Sequence, residues 1–218
     1  MPTLNKPIGI FGGTFDPIHL GHLHLAAEVL QKAQLEKINL VPCYQSPLRT
    51  QPRATPDQRL MMVKLAIAKK QNLFADDQEI ERKGISYTID TLEFTRATFK
   101  TSEQPLVLIM GIDAFNQFDH WHKWQNILEL AHLVVVNRPK IQFEQKEEIK
   151  YLLKQKQIFN PQELTTKPGG NILILDIHPL PISATNIRNL LEIKHYNEVQ
   201  NMLPENVWQY ILKNNIYK

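Results

Sequence analysis

The sequence predicts a doubly wound α/β fold built on a parallel sheet. Three observations predict it. Short apolar runs alternate with segments whose apolar residues recur at helical spacing. The runs are apolar on both faces, as strands covered by helices on either side require. Of eight glycines, four (Gly9, Gly12, Gly13 and Gly21) fall within thirteen residues, around the end of the first run. Glycine permits positive φ and close backbone approach, so that segment is where the backbone is expected to do something unusual.

The elements follow in order. Ile8–Phe11 reads as a buried first strand ending at Gly12-Gly13. Leu23, Leu25, Ala26, Val29 and Leu30 then keep helical spacing through about Gln34. Lys37–Val41 is a second strand, stopped by Pro42, and a polar loop, Cys43–Ala54, follows. Thr55-Pro56-Asp57-Gln58 predicts a helix start, with Thr55 as N-cap, Pro56 at N1 and Gln58 closing a capping box. Leu60, Val63, Leu65, Ala66 and Ile67 supply its apolar side. Leu73–Glu81 permits a strand near Phe74 and another near Ile80. Thr88 is expected to cap a helix reaching about Phe99. Leu106–Met110 is a buried strand ending at Gly111, and Asp113 opens helical material reaching about Leu130. Leu133–Val136 is a strand closed by Asn137-Arg138-Pro139. Glu144–Gln157 is a charged helix and Ile172–Ile177 a strand. From Ser183 three short helices follow, split at Lys194 and Pro204. The alternation is Rossmann-like, with helices on both faces of the sheet and right-handed crossovers. The 218 residues are expected to form one domain, with 183–218 as its small C-terminal helical segment.

Composition narrows the function. A net charge of +3 suits a small anionic substrate and is too weak for nucleic acid, which needs clustered Lys and Arg. Cys43 is the only cysteine, so no disulfide forms within the chain and a reducing compartment is expected. No apolar run approaches the ~20 residues of a membrane span, and Met1–Pro7 lacks a signal peptide's apolar stretch. A cytoplasmic protein without a membrane partner is therefore expected.

Ligands of such sheets bind beyond the carboxyl ends of strands. Three loops there are chemically loaded: Gly12–Gly21, Gly111–Asp113 and Pro181–Arg188. The first contains neither GxGxxG nor GxxxxGK[ST], so neither standard nucleotide fingerprint applies. It offers Gly12 and Gly13, the turn pair Asp16-Pro17, and His19-Leu20-Gly21-His22. The glycines let backbone N–H groups approach an anion, and the following helix has a positive N-terminus. His19 and His22, three apart, face the same way on a first helical turn. Two imidazole donors there make a phosphate site. His24 extends the set, but a zinc shell is not expected in this segment. As a whole, the loop resembles the signature of the HxGH nucleotidyltransferase superfamily. Gly12-Gly13-Thr14-Phe15-Asp16-Pro17 is the form typical of its adenylyltransferases.

Ser183, alone, is an N-cap signal. With Thr185 and Arg188 it adds hydroxyls and a fork of guanidinium donors at another helix start. Ile182, Ser183, Thr185 and Arg188 resemble the superfamily's second signature, ISxTxxR. The resemblance implies that this loop, the histidine pair and Gly12–Phe15 hold ATP.

The middle of the chain bears on the acceptor. Ser86-Tyr87-Thr88, Gly111-Ile112-Asp113, Trp121 and Asn137-Arg138-Pro139 occur in the order seen in bacterial nicotinate-nucleotide adenylyltransferases, and the resemblance runs from Ile8 to Tyr217. It implies that Trp121 stacks on the pyridine ring and that Thr88, with nearby N–H groups, meets the nicotinate carboxylate. Asp113 would lie near a ribose, Arg138 near phosphate, and Gly111 would let adenosine approach. Asp16 joins the substrate-binding set. Spacing alone does not choose between Trp121 and Trp124; Trp124 is expected to pack with Ile127 and Leu128. Many relatives carry Pro-Pro-His-Lys/Arg after the second strand. Here Ser46-Pro47-Leu48-Arg49 stands instead. Leu48 can neither donate a hydrogen bond nor carry charge, which leaves Arg49 as the phosphate contact.

A phosphate acceptor is already ionised at pH 7 and needs no general base. Catalysis is then positioning and charge neutralisation, assigned to His19, His22 and Arg188. Mg²⁺ is expected to arrive bridging phosphate oxygens of ATP, without a dedicated protein site. Two alternatives stand beside transfer of adenylate from ATP to nicotinic acid mononucleotide. A phosphopantetheine adenylyltransferase would share both signatures, but Ser86-Tyr87-Thr88, Trp121 and the chain length weigh against it. A non-catalytic nucleotide-binding regulator would not be expected to keep His19, His22 and Arg188 intact.

Overall fold

The structure, a computed structural model, describes residues 5–47, 51–99, 103–137 and 146–217. Its elements are β1 (Ile8–Gly13), α1 (Leu20–Lys32), β2 (Lys37–Pro42), α2 (Pro56–Ile67), β3 (Leu73–Ala75), α3 (Gln78–Arg82) and α4 (Thr88–Ala97). Next come β4 (Leu106–Gly111), α5 (Ile112–Phe115), α6 (Trp124–Leu130), β5 (His132–Asn137), α7 (Glu147–Lys156), β6 (Gln157–Ile158) and β7 (Ile172–Asp176). The chain continues through α8 (Ala184–Glu192), α9 (Tyr196–Gln200) and α10 (Glu205–Lys213). One seven-stranded sheet runs β3-β2-β1-β4-β5-β7-β6. The pairs β1–β4, β4–β5, β5–β7 and β6–β7 are parallel, with Ile8 opposite Leu106 and Leu133 opposite Ile172. This is the doubly wound α/β fold that the alternation predicts. Strand order reverses between β1 and β4, and doubly wound sheets bind ligands outside the carboxyl ends at such a point. Those ends are Gly12-Gly13 and Gly111. No helix among the described residues is long and apolar enough to cross a membrane.

The chain divides into two compact units, each gathered from three stretches. The first holds the chain up to Gly12, Glu28–Asn39 and Tyr87–His178. Its core is the apolar runs: Leu106–Met110 and Leu133–Val136 are buried throughout. Arg96 on α4 donates from Nε to the Leu130 carbonyl (2.8 Å) and from Nη2 to that of Pro168 (2.8 Å). Beside it His132 is fully buried. Its Nδ1 accepts the Asn171 N–H (3.0 Å), so Nε2 carries the proton and donates to the Lys167 carbonyl (2.9 Å). Burial pushes His132 down to about 4. The Trp124 ring meets Phe118 edge-on at 5.7 Å. The helix expected over Glu144–Gln157 runs Glu147–Lys156, and the two-residue β6 that follows carries no sequence signal of its own.

The second unit holds Gly13–Ala27, Leu40–Ser86 and the chain from Pro179 onward. The capping box of α2 forms as predicted: Gln58 N–H donates to Thr55 Oγ1 (3.2 Å) and Thr55 N–H to Gln58 Oε1 (2.9 Å). Its buried face is Arg59, Met62, Val63, Ala66 and Ile67. Leu60 and Leu65, expected inside, are only half-buried. The strand near Phe74 is β3, but Ile80 lies in α3 rather than in a strand. Asp76 turns the chain there, accepting the Gln78 N–H (3.1 Å) and Nε2–H (2.8 Å), an Asx-type start that favours a helix. The three helices after Ser183 are α8, α9 and α10.

Candidate active site

The histidine pair lies where β1 hands over to α1, in the second unit. Phe15 takes the left-handed conformation (φ 49°) and is buried. A Cβ at Gly13 would come within 2.9 Å of its ring, so only glycine lets the strand end lie on it. The Phe15 ring meets His22 edge-on at 5.1 Å, and His22 stacks on His19 with centroids 3.7 Å apart. The His19 N–H donates to His22 Nδ1 (3.3 Å). That bond leaves the His22 proton on Nε2, the edge that can donate onward. Gly21, between the histidines, has a physical reason too. A Cβ there would sit 3.0 Å from Cε1 and Nδ1 of His19 and 3.5 Å from the Ile182 carbonyl oxygen.

The last loop is fastened to the first. Arg188 Nη1 donates to the Asp16 carbonyl (2.7 Å), and Nη2 to Thr185 Oγ1 (3.2 Å). Ser183 caps α8 by accepting the Asn186 N–H (3.2 Å). The predicted N-cap therefore forms; the Ile182 carbonyl lies next to Gly21, and Arg188 reaches Asp16. Asp16, expected to meet substrate, is buried, and its carboxylate is engaged by the protein. Oδ2 accepts the Arg53 N–H (2.9 Å); Oδ1 accepts the Ala54 N–H (3.0 Å) and the Tyr217 hydroxyl (2.8 Å). In this structure Asp16 shapes the loop.

Arg59 escapes the sequence reading. It is fully buried on α2. It donates to the carbonyls of Thr14 (2.8 Å), Tyr44 (3.1 Å) and Ala54 (3.3 Å), tying the first loop to the loop after β2. A signal existed: Met62, Val63, Ala66 and Ile67 define a helical face that, extended one turn back, reaches position 59. Cys43 lies alongside, its Sγ 3.9 Å from Thr14 Oγ1. Burial pushes its thiol up, so it is a packing residue and not a nucleophile.

Gly111, Asp113, Thr88 and Trp121 belong to the first unit. Gly111 ends β4 and precedes α5, whose first turn carries the exposed Asp113. Thr88 is the first residue of α4, and Tyr87 takes the cap position without a side-chain bond, which corrects the expectation that Thr88 caps. Trp121, half-buried, sets its edge against Phe118 at 5.8 Å. The Tyr87 and His122 rings meet at 4.5 Å. The chain neighbours of Thr88 and Trp121 are thus in contact, and this brings the start of α4 to the turn before α6. Lys146 Nζ donates to Asp119 (2.7 Å) and holds that carboxyl below its usual range. Arg49, Leu48 and Arg138 lie outside the described residues.

The cytidylyltransferase-like family matches residues 10–190. A probable nicotinate-nucleotide adenylyltransferase of Methylococcus capsulatus is 39% identical over 211 residues, covering 96% of this chain and 99% of that protein. One from Coxiella burnetii is 44% identical, covering 97% and 98%. The chain belongs to the nicotinate-nucleotide adenylyltransferase family. A third member, from Cellvibrio japonicus, is 43% identical over 99% of this chain and all of that protein. In fold, the chain resembles Plasmodium falciparum nicotinic acid mononucleotide adenylyltransferase complexed with NaAD, with a TM-score of 0.72 at 18% identity over 98% of each chain. Within this adenylyltransferase family member, Arg59 and Tyr217 are the site-shaping residues the motifs do not include.

Proposed function

We propose that this chain transfers the adenylyl group of ATP to nicotinic acid mononucleotide, giving deamido-NAD and pyrophosphate, a step of NAD biosynthesis. One observation carries the reading. Two signature loops more than 160 residues apart are bound together: Arg188 donates to the Asp16 carbonyl, 172 positions away, beside the stacked histidines. The names of relatives 39–44% identical over nearly the whole chain support the acceptor.

A phosphate oxygen of the acceptor attacks the α-phosphorus of ATP. The bond to the bridging oxygen of the β-phosphate breaks, and pyrophosphate leaves with the electron pair. No proton has to be removed first. The barrier is the approach of one polyanion to another, so the chain supplies donors where charge builds on the departing pyrophosphate. His22 through Nε2, His19 and Arg188 take that part. Removing one such donor costs about 2.7–4 kcal/mol of barrier. The nucleotide substrate is magnesium ATP. The imidazole, guanidinium and hydroxyl groups at this turn suit phosphate oxygens better than they suit Mg²⁺, whose ligands would be phosphate oxygens and water. Thr88 and Trp121 are assigned to the pyridine end, Asp113 and Gly111 to the adenosine, and Arg49 and Arg138 to phosphate. The lone, buried Cys43 fits a reducing cytoplasm.

The test is pyrophosphate release from ATP with nicotinic acid mononucleotide, nicotinamide mononucleotide or phosphopantetheine. A site of N–H donors and the Thr88 hydroxyl satisfies a carboxylate, whereas an amide sets its own NH₂ against those donors. A preference of at least about tenfold in kcat/KM for the nicotinate is expected. Equal use of both pyridine nucleotides would sink the carboxylate argument, and release with phosphopantetheine alone would sink the assignment.

A further inference from the structure

We infer that Tyr217 is a positioning residue for Arg188, acting through Asp16; this rests on the phosphate-binding role proposed above. A carboxylate beside a guanidinium ordinarily takes it in a direct, often bidentate pair. Here the two stand at ion-pair distance without a hydrogen bond between the charged groups. Arg188 Nη1 stands 3.8 Å from Asp16 Oδ2 and donates instead to the Asp16 main-chain carbonyl at 2.7 Å. Three other donors hold the carboxylate: the Arg53 N–H on Oδ2, and the Ala54 N–H and the Tyr217 hydroxyl (2.8 Å) on Oδ1. Two backbone amides come from the loop itself. The third donor is a side chain 201 residues along the sequence. With Asp16 satisfied, Arg188 is steadied by the Asp16 carbonyl and Thr185 Oγ1, and keeps the rest of its five N–H donors for phosphate.

Two further features mark Tyr217 as placed for this contact. Its φ is 69°, the left-handed region that a bulky side chain rarely occupies. Such a conformation persists where the surrounding structure demands it. Its ring is buried, and burial together with the Asp16 charge pushes the phenol up. The hydroxyl therefore remains a donor across the working pH range. Take it away, and Asp16 Oδ1 keeps one donor. Arg188, already 3.8 Å from the carboxylate, is a cation able to replace the lost donor, and would swing from the carbonyl to the carboxylate and away from the nucleotide.

Tyr217→Phe keeps the ring and removes the hydroxyl. Binding of magnesium pyrophosphate, followed by calorimetry, is expected to weaken about fivefold. KM for ATP should rise to a similar extent, with KM for the pyridine nucleotide unchanged. In an Arg188→Ala background the same substitution should change pyrophosphate binding less than about twofold. Equal losses in both backgrounds would mean a general loosening and would overturn the proposal, as would unchanged pyrophosphate binding in Tyr217→Phe. If the Phe variant does not fold, 4-fluorophenylalanine at position 217 keeps the volume without the donor and is read the same way. Pyrophosphate binding does not depend on the acceptor, so a wrong acceptor assignment and a failure of this inference give different results.

Discussion

Gly21→Ala separates catalysis from stability at one methyl group. The new Cβ would lie 3.0 Å from Cε1 and Nδ1 of His19, and 3.5 Å from the Ile182 carbonyl oxygen. Carbon contacts settle near 3.5–4.0 Å, so the His19 ring must give way by about half an ångström. That ring is stacked 3.7 Å from the His22 ring, which is backed by Phe15, so any shift of His19 disturbs the stack. A misplacement of about 1 Å at a reacting centre costs up to ~10²-fold in rate. Half of that displacement should lower kcat about tenfold. Stability should move little: alanine favours the helix over glycine by ~0.5–1 kcal/mol, which offsets part of the strain. Steady-state pyrophosphate release and urea unfolding measure the two effects on one preparation. A variant with undiminished kcat and undiminished stability would show that the ring position of His19 does not matter to turnover, and would refute this reading of the HxGH glycine.

His19→Ala and His22→Ala should each lower kcat by ~10²–10³ with the fold retained, as circular dichroism would confirm; near-normal turnover in both would remove them from the mechanism. Arg59→Met should cost about 3 kcal/mol in urea unfolding, because the Thr14, Tyr44 and Ala54 carbonyls lose their shared donor inside the protein; a loss under ~1 kcal/mol would show the loops hold without it. Stability should also fall in acid through His132. Its folded value of about 4 lies below the 6.5 of the unfolded chain, so unfolding takes up a proton between these limits. The contribution is complete above pH 6.5, is lost progressively down to about pH 4, and amounts to about 3 kcal/mol. His132→Gln should flatten that part of the stability–pH curve, and an unchanged slope would assign the acid sensitivity elsewhere.

Whatever depends on neighbouring residues could be read before the chain folds. Apolar runs such as Leu106–Met110 and Leu133–Val136 marked buried parallel strands, because a strand covered on both faces has no polar side to alternate. The Thr55–Gln58 capping box was legible because both its bonds close within four residues. The two signature loops were legible because each is a contiguous motif, Gly12–His22 and Ile182–Arg188, that resembles a family signature. Only the tertiary structure decided what depends on partners far along the chain. The part Arg59 plays rests on the Thr14 and Tyr44 carbonyls, 45 and 15 positions away, which take its donors. What holds Asp16 was not legible either: its oxygens accept from the Arg53 and Ala54 amides and the Tyr217 hydroxyl, 37 to 201 positions away. Ile80 suited a short strand equally well until Asp76 turned the chain into α3. Periodicity records which face of an element is apolar. A buried charge is stable only where donors and acceptors from other segments converge on it, and that convergence exists only once the chain has folded.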